Sequence, residues 1–360
     1  MNNPLVSEQK DLIDVCDAVN QCSVVGVDTE FLREKTYYAK LCLVQLAAGG
    51  ESWCIDVLAL DDLSPLAEVF ENESLLKIFH SSRQDFEVIY QQLGCLPKPV
   101  FDTQIAASFC GADAQAGYAT VLKDEFSIEL DKSQTRTDWS RRPLSDKQIE
   151  YAINDVHHLE PLYKHYQQKL EQLGREDWFN QEVLTLFNVD DYQMLPENAH
   201  NRLNGSSLTV ISQHFLRDLA HWREALAQNK NIPRSWILKD KDVYELADML
   251  PTSEEMLKKA RISNQSFVKK NAQYILQMAL DNKNQSDAKQ LWKPYKPFEP
   301  EQKAIVKELM KKIAEIAEHV GIAQTVLATR KDVEAFVRDQ SESAISKGWR
   351  AGFLLEKITA

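Results

Sequence analysis

Apolar and β-branched residues gather over 24–31, 37–48, 52–58, 75–80 and 99–103, each run closed by polar or turn-forming residues. Runs of this length and composition predict β-strands. The first three follow one another across short polar breaks, which predicts an antiparallel meander. After "SLLKIFH" the apolar spacing changes to the helical period in "SRQDFEVIYQQLG", and "PVFD" leads directly into "TQIAASFCG". This strand-helix-strand-helix order predicts a mixed sheet covered by helices. The stretch "RRPLSDKQIEYAINDVHHLEPLYKHYQQKLEQLG" opens with Pro143 and a Ser145/Gln148 capping box and closes at Gly174. Ile149, Ala152, Ile153, Val156 and Leu159 form one stripe along it, which predicts a single long helix.

Strand signals stop near residue 207, and short helices broken by Pro and Asn clusters follow. An internal repeat lies in this part. "NIPRSWILKDKDVYELA" at 231–247 aligns without a gap with "GIAQTVLATRKDVEAFV" at 321–337, an offset of 90 residues that also pairs Leu219 with Leu309 and Leu226 with Ile316. A register kept through a helix, a loop and a second helix predicts two tandem helical domains. The pattern divides the chain into an α/β domain over 1–206 and all-α domains over 207–291 and 292–360, with "WKPYKPFEP" at 292–300 as a stiff linker.

Composition sharpens this division. The net charge is −12, but residues 1–200 carry −18 and residues 201–360 carry +6. A basic half gains affinity for polyanions by displacing phosphate counterions, so the split fits an acidic catalytic domain joined to a polyanion-binding one. The N-terminal residues lack the basic start and apolar run of a secretory signal, and no stretch reaches the ~20 apolar residues of a membrane span, so a cytoplasmic protein without membrane attachment is expected. The six cysteines form no CxxC pair, which makes a zinc site or a disulfide framework a poor expectation and reduced, buried thiols the better one.

The chemistry concentrates at the end of the first strand. "VVGVDTEFLR" sets Asp28 and Glu30 one residue apart, so both carboxylates face one side of the sheet. Like charges so placed repel unless a cation stands between them, and hard oxygen donors suit Mg²⁺ or Mn²⁺. Alone, such a pair also describes two solvated side chains. Asp85 follows at the next strand-to-helix junction, and "YAIND" puts Tyr151 and Asp155 one helical turn apart on one face. The ordered set is more specific than any of its members.

With "VDTEFLREKTYYAKLCLVQLA", "HSSRQDFEVI", "FDTQIAASF" and "DWSRRPLSDKQIEYAINDVHHLEPLY", the chain resembles the aspartate/glutamate 3′-to-5′ exonucleases of the ribonuclease H-like superfamily whose third motif is Y-x3-D, and within them the bacterial ribonuclease D family. The C-terminal repeats resemble the helical HRDC module. The second copy is the more diverged, with Lys312 where the first has Trp222. The resemblance implies a ribonuclease H-like fold followed by two HRDC domains, and hydrolysis of RNA from its 3′ end, one nucleotide at a time, by two Mg²⁺ or Mn²⁺ ions. It implies that Asp28 bridges the ions, that Glu30 and Asp155 complete the site that activates water, and that Asp85 holds the second ion. Tyr151 would orient the water, its pKa near ~10 making it a poor general base.

The resemblance also implies that Thr29 to Phe31 line the pocket of the last nucleotide and that the substrates are RNAs with short single-stranded 3′ tails, tRNA precursors among them. Phe31 could stack on a base or simply fill the core. Arg141 and Arg142 could meet phosphate or form a solvated basic cap, and His80 could support the site or serve the fold alone. His157 and His158 diverge by about 100° on a helix and are read as structural. Lys258, Lys259, Arg261, Lys269 and Lys270 could attract the RNA body or be scattered solvating charges. Deleting 207–360 is expected to leave nucleotide hydrolysis measurable while weakening RNA binding. Nothing demands a dimer, so a monomer is expected. Two other readings share these residues: a DNA 3′-to-5′ exonuclease, and an inactive RNA-binding adaptor.

Overall fold

The computed structural model describes residues 4–131, 134, 137–285, 287–294 and 296–359. One compact unit gathers residues 1–32, 40–192 and 298–360, and a second gathers residues 33–39 and 193–297.

The first unit is built on a six-stranded sheet of β1 (Leu5–Val6), β2 (Val24–Leu32), β3 (Lys40–Ala48), β4 (Glu51–Ile55), β5 (Leu76–Phe79) and β6 (Val100–Asp102), in the order β1-β4-β3-β2-β5-β6. β2, β3 and β4 form the expected antiparallel meander. The β3–β4 turn is two residues long, and Gly49 (φ 61°) and Gly50 (φ 85°) supply the positive dihedrals such a hairpin requires. The remaining ladders, β1 with β4, β2 with β5 and β5 with β6, are parallel. β1 was not foreseen because two residues carry no periodicity. β3 is apolar at every position from Leu41 to Leu46 except Gln45, and all six residues are buried, because helices cover both faces of the sheet there.

The helices are α1 (Gln9–Asn20), α2 (Ser64–Glu71), α3 (Arg83–Leu93), α4 (Thr103–Phe109), α5 (Tyr118–Phe126), α6 (Asp146–His157), α7 (Leu159–Leu173) and α8 (Glu176–Leu184). The Ser145/Gln148 capping box starts α6, and Gly174 closes α7 in a left-handed conformation. The single long helix expected here is corrected: it breaks at His158. Pro161 has no N–H and its ring crowds the carbonyl of His157, so the helical ladder cannot run through. The His158 N–H instead donates to the Tyr118 hydroxyl at 3.2 Å.

The C-terminal region consists of α9 (Val210–Lys230), α10 (Arg234–Ile237), α11 (Asp240–Met249), α12 (Glu254–Lys259), α13 (Gln265–Lys270), α14 (Ala272–Lys283), α15 (Pro300–Val320), α16 (Gln324–Leu327) and α17 (Arg330–Arg338). The 90-residue offset carries α9 and α10 onto α15 and α16 at both ends, and α11 onto α17 at its start. Asn231 (φ 46°) and Gly321 (φ 65°) close the two long helices in the same left-handed way. Beyond this point the copies part, since α12 to α14 follow the first and only short helical turns, between Gln340 and Thr359, follow the second.

The compact units divide the chain differently from the sequence blocks. Trp292, assigned to the linker, belongs to the first helical domain, where its indole N–H donates to Leu203 O at 3.1 Å and its ring packs against Gly205. Tyr295 of that linker lies outside the described residues. Residues 298–360 join the sheet domain: Trp349 stacks on Trp178 at 4.8 Å, and Arg350 pairs with Glu182 at 2.9 Å.

Candidate metal centre

The site begins where β2 loses a neighbour. Pairing with β5 ends at Gly26, opposite Ile78, while β2 continues to Leu32. β5 stops at Phe79, and the chain soon turns into α3, so the carboxyl ends of the two parallel strands leave a crevice between them. Gly26, Asp28 and Glu30 share one face, and the α6–α7 junction lies against it so closely that a Cβ on Gly26 would stand 3.1 Å from Leu159 Cβ and 3.2 Å from Val156 O. Only a glycine lets the helix approach that far. Asp155, next to Val156, then meets the strand, and the carboxylate oxygens of Asp28, Glu30 and Asp155 lie within 4.8 Å of one another.

Asp85 comes from the first turn of α3. Thr29, which points away from Asp28 along the strand, donates its hydroxyl to Asp85 Oδ1 at 2.5 Å and so aims that carboxylate at the rim. Tyr151 donates its hydroxyl to Asp155, as the one-turn spacing requires.

The electrostatics are those of an uncompensated acidic cluster. Burial, then Asp85, Asp155 and Glu30, hold the Asp28 carboxyl well above the ordinary range. Burial and the charges of Asp155 and Asp85 push Glu30 up to about 9. Burial lifts Asp155 to about 7 against the Tyr151 hydroxyl, and lifts Asp85 to about 7 against the Thr29 hydroxyl. Among the described residues none of the four forms an ion pair with a Lys or Arg. Four crowded oxygen donors that resist ionisation for want of a cation fit a hard divalent ion.

Other expected residues sit elsewhere in the design. Phe31 is half-buried just past a β-bulge that shifts the register between Glu30 and Phe31. Thr29 is buried, and its hydroxyl is engaged with Asp85. His80 uses both ring nitrogens within the fold, Nδ1 on Thr103 Oγ1 and Nε2 on Ala116 O, both at 2.9 Å. Arg142 is engaged within the fold likewise. Its guanidinium donates from Nε and Nη2 to Asp56 at 2.6 Å each, and to the carbonyls of Cys42, Trp139 and Arg141. Arg141 is exposed.

Three residues escaped the sequence reading. Gly26 was legible, since a glycine inside a strand marks close backbone approach. Tyr118 reaches the site from α5 and feels the charges of Asp155 and Asp28, which no periodicity could show. Gln45 lies directly across the ladder from Asp28, fully buried, with both amide atoms lacking a partner among the described residues.

Comparison with known proteins agrees with this geometry. A family described as 3′-5′ exonuclease matches residues 4–171, and the HRDC domain family matches residues 212–278. Ribonuclease D of Sphingobium indicum is 35% identical over 97% of this chain and 91% of its own length. The chain belongs to the ribonuclease D family. The enzyme of Nitrobacter hamburgensis is 36% identical over 96% of the chain and 91% of its own length. The crystal structure of Escherichia coli RNase D, described as an exoribonuclease involved in structured RNA processing, superposes with a TM-score of 0.90 at 27% identity, covering 100% of this chain and 98% of that one. The chain is therefore a 3′-to-5′ exoribonuclease with an RNase H-like exonuclease domain and a helical HRDC region, and its exonuclease domain carries an acidic cluster that could hold a metal ion. Neither the DNA-exonuclease nor the adaptor reading is favoured. Among the described residues no helix is long and apolar enough to cross a membrane.

Proposed function

We propose that the enzyme trims short single-stranded 3′ tails from structured RNAs, tRNA precursors among them, using two Mg²⁺ or Mn²⁺ ions. The observation that carries the metal assignment is the convergence of Asp28, Glu30 and Asp155 within 4.8 Å, with every carboxyl held above its ordinary range. These three residues would hold one ion, and Asp28 with Asp85 the other. When bound, the ions supply an ionised water and neutralise charge on the scissile phosphate.

The chain itself does the placing. The Tyr151 hydroxyl, fixed against Asp155, can hold a water in line with phosphorus. The water oxygen bonds to phosphorus, the P–O3′ bond breaks, and a 5′-nucleotide leaves while the shortened RNA keeps a 3′-hydroxyl. Phe31, half-buried beside Glu30, would stack on the terminal base. The exposed Lys258, Lys259, Lys269 and Lys270, at the ends of α12 and α13, together with Arg261, would draw the RNA body in. In this reading 207–291 is the RNA-steering HRDC domain and 292–360 a diverged copy. The enzyme works as a monomer in the reducing cytoplasm, where its free cysteines are stable.

The test is degradation of a 5′-labelled, 3′-tailed tRNA precursor with Mg²⁺ or Mn²⁺ against EDTA, beside Asp155→Ala and a matched DNA oligomer. A metal-dependent ladder shortening one nucleotide at a time, lost in the variant and weak on DNA, is expected. Equal cutting of DNA overturns the substrate assignment, and cutting in EDTA overturns the metal assignment.

A further inference from the structure

Gln45 interrupts the apolar run of β3, "KLCLVQLAA". It is fully buried, yet neither its Oε1 nor its Nε2 has a hydrogen-bond partner among the described residues. A buried carboxamide that makes no bond is costly, and an apolar side chain of similar volume would avoid that cost. Packing alone gives no reason for a glutamine here.

Strand pairing turns this side chain toward the metal centre. Asp28 and Gln45 stand directly opposite each other in the β2–β3 ladder, so both side chains leave the same face of the sheet. Glu30 lies on the diagonal of that pair, within reach of a side chain as long as glutamine. Other neighbours on this face have little to offer an amide: Leu43 and Ala47 flank Gln45 along β3, and the buried thiol of Cys54 faces it from β4. α6 and α7 close the face from above. Leu43 belongs to the core cluster that contains Ala152, and Ala47 packs against the one that contains Val156 and Leu159. Gln45, between them, therefore lies beneath the turn of α6 that carries Asp155.

We propose that Gln45 is a positioning residue of the metal centre: its carboxamide N–H group donates to the Asp28 carboxylate and holds it in the orientation that binds the ions. A ligating carboxylate gives part of its lone-pair capacity to the cation, and hydrogen bonds to the remainder fix its direction. A neutral amide does this without supplying the positive charge that a lysine or arginine would bring in competition with the ion. The inference rests on the metal-site assignment and adds to it a residue that does not itself ligate.

Gln45→Met is the discriminating variant, because it nearly keeps the volume and removes both polar atoms. Gln45→Leu, matching the leucines beside it in β3, serves as the second. Mn²⁺ binding to the metal-free protein is measured by calorimetry, beside the melting temperature in EDTA and turnover of a 3′-tailed RNA. Both variants are expected to bind Mn²⁺ about tenfold more weakly, with KM for RNA at saturating Mn²⁺ within about twofold of wild type and a melting temperature in EDTA that is unchanged or higher. In wild-type protein labelled with ¹⁵N-glutamine, the side-chain amide signal that the variants lack should shift when Mg²⁺ is added. Unchanged Mn²⁺ affinity, or an amide signal that Mg²⁺ leaves in place, overturns the proposal. Weaker binding that comes with a lower melting temperature in EDTA overturns it too, since Gln45 would then support the fold rather than the ligand. Wild-type protein that takes up no Mn²⁺ rejects the metal-site assignment instead.

Discussion

The sheet domain handles buried acid in two opposite ways. At the end of β4, Asp56 is 5% exposed and meets Arg142 in a two-point pair at 2.6 Å per bond, with Leu58 N–H adding a third contact at 3.1 Å. At the end of β2, Asp28, Glu30 and Asp155 face one another with Asp85 close by, and their polar support comes from the hydroxyls of Thr29 and Tyr151 and from the backbone N–H groups of Thr29 and Asp85. The same domain supplies a cation for one carboxylate and withholds it from four. A bidentate guanidinium is a strong and specific partner for a carboxylate, so its absence from the cluster leaves the compensating charge to come from outside the chain.

The comparison breaks most sharply at Asp155. Asp155→Asn should lower hydrolysis by at least about a thousandfold, yet raise the melting temperature of the metal-free protein by removing one of the repelling charges. Retained activity in a ladder assay would end the comparison. The same repulsion fixes a pH dependence. Folded-state values lie above the ordinary carboxylate range, at about 7 for Asp85 and Asp155 and about 9 for Glu30, so the folded protein keeps protons that the unfolded chain has released. That contribution is complete below about pH 4 and is lost as pH rises through 7 to 9. Urea unfolding in EDTA should therefore show lower stability at pH 8.5 than at pH 5.5, and saturating Mg²⁺ should flatten the difference. A metal-free protein more stable at the higher pH would contradict the assignment.

At Asp56 the outcome reverses. Arg142→Ala strands a buried carboxylate and should remove about 3 kcal/mol of stability, while the folded fraction hydrolyses RNA with near wild-type constants. A change in the salt slope of RNA binding would show that Arg142 also meets phosphate. Gly26→Ala pushes the α6–α7 junction outward by a few tenths of an ångström, and with it Asp155. It should cost about fivefold in kcat with little change in melting temperature. The smallest effect belongs to Thr29→Val, which leaves Asp85 without its donor. About threefold more metal should be needed for half-maximal activity, and an unchanged metal titration would remove Thr29 from the site.

Sequence alone determined the antiparallel meander, the capping box of α6, the 90-residue repeat, the shared face of Asp28 and Glu30 and the one-turn pairing of Tyr151 with Asp155, because each rests on local spacing: alternate residues on a strand, one turn on a helix, a fixed offset along the chain. The break at His158 was written in Pro161 but was outweighed by the apolar stripe running past it. Tertiary structure alone decided what each polar group does with its bonds. His80 and Arg142 look like ligands in a linear chain, but turn inward because Thr103, Ala116 and Asp56 reach them from distant segments. Gln45 reaches the site only through strand pairing, and Tyr118 only through the packing of α5. The loop 33–39 reads as the turn of a hairpin and folds with a helical domain far along the sequence, since the acceptor at Asn231 lies nearly two hundred residues away. Local periodicity fixes which residues share a face; long-range partners, which no spacing encodes, fix which of those residues remain available for chemistry.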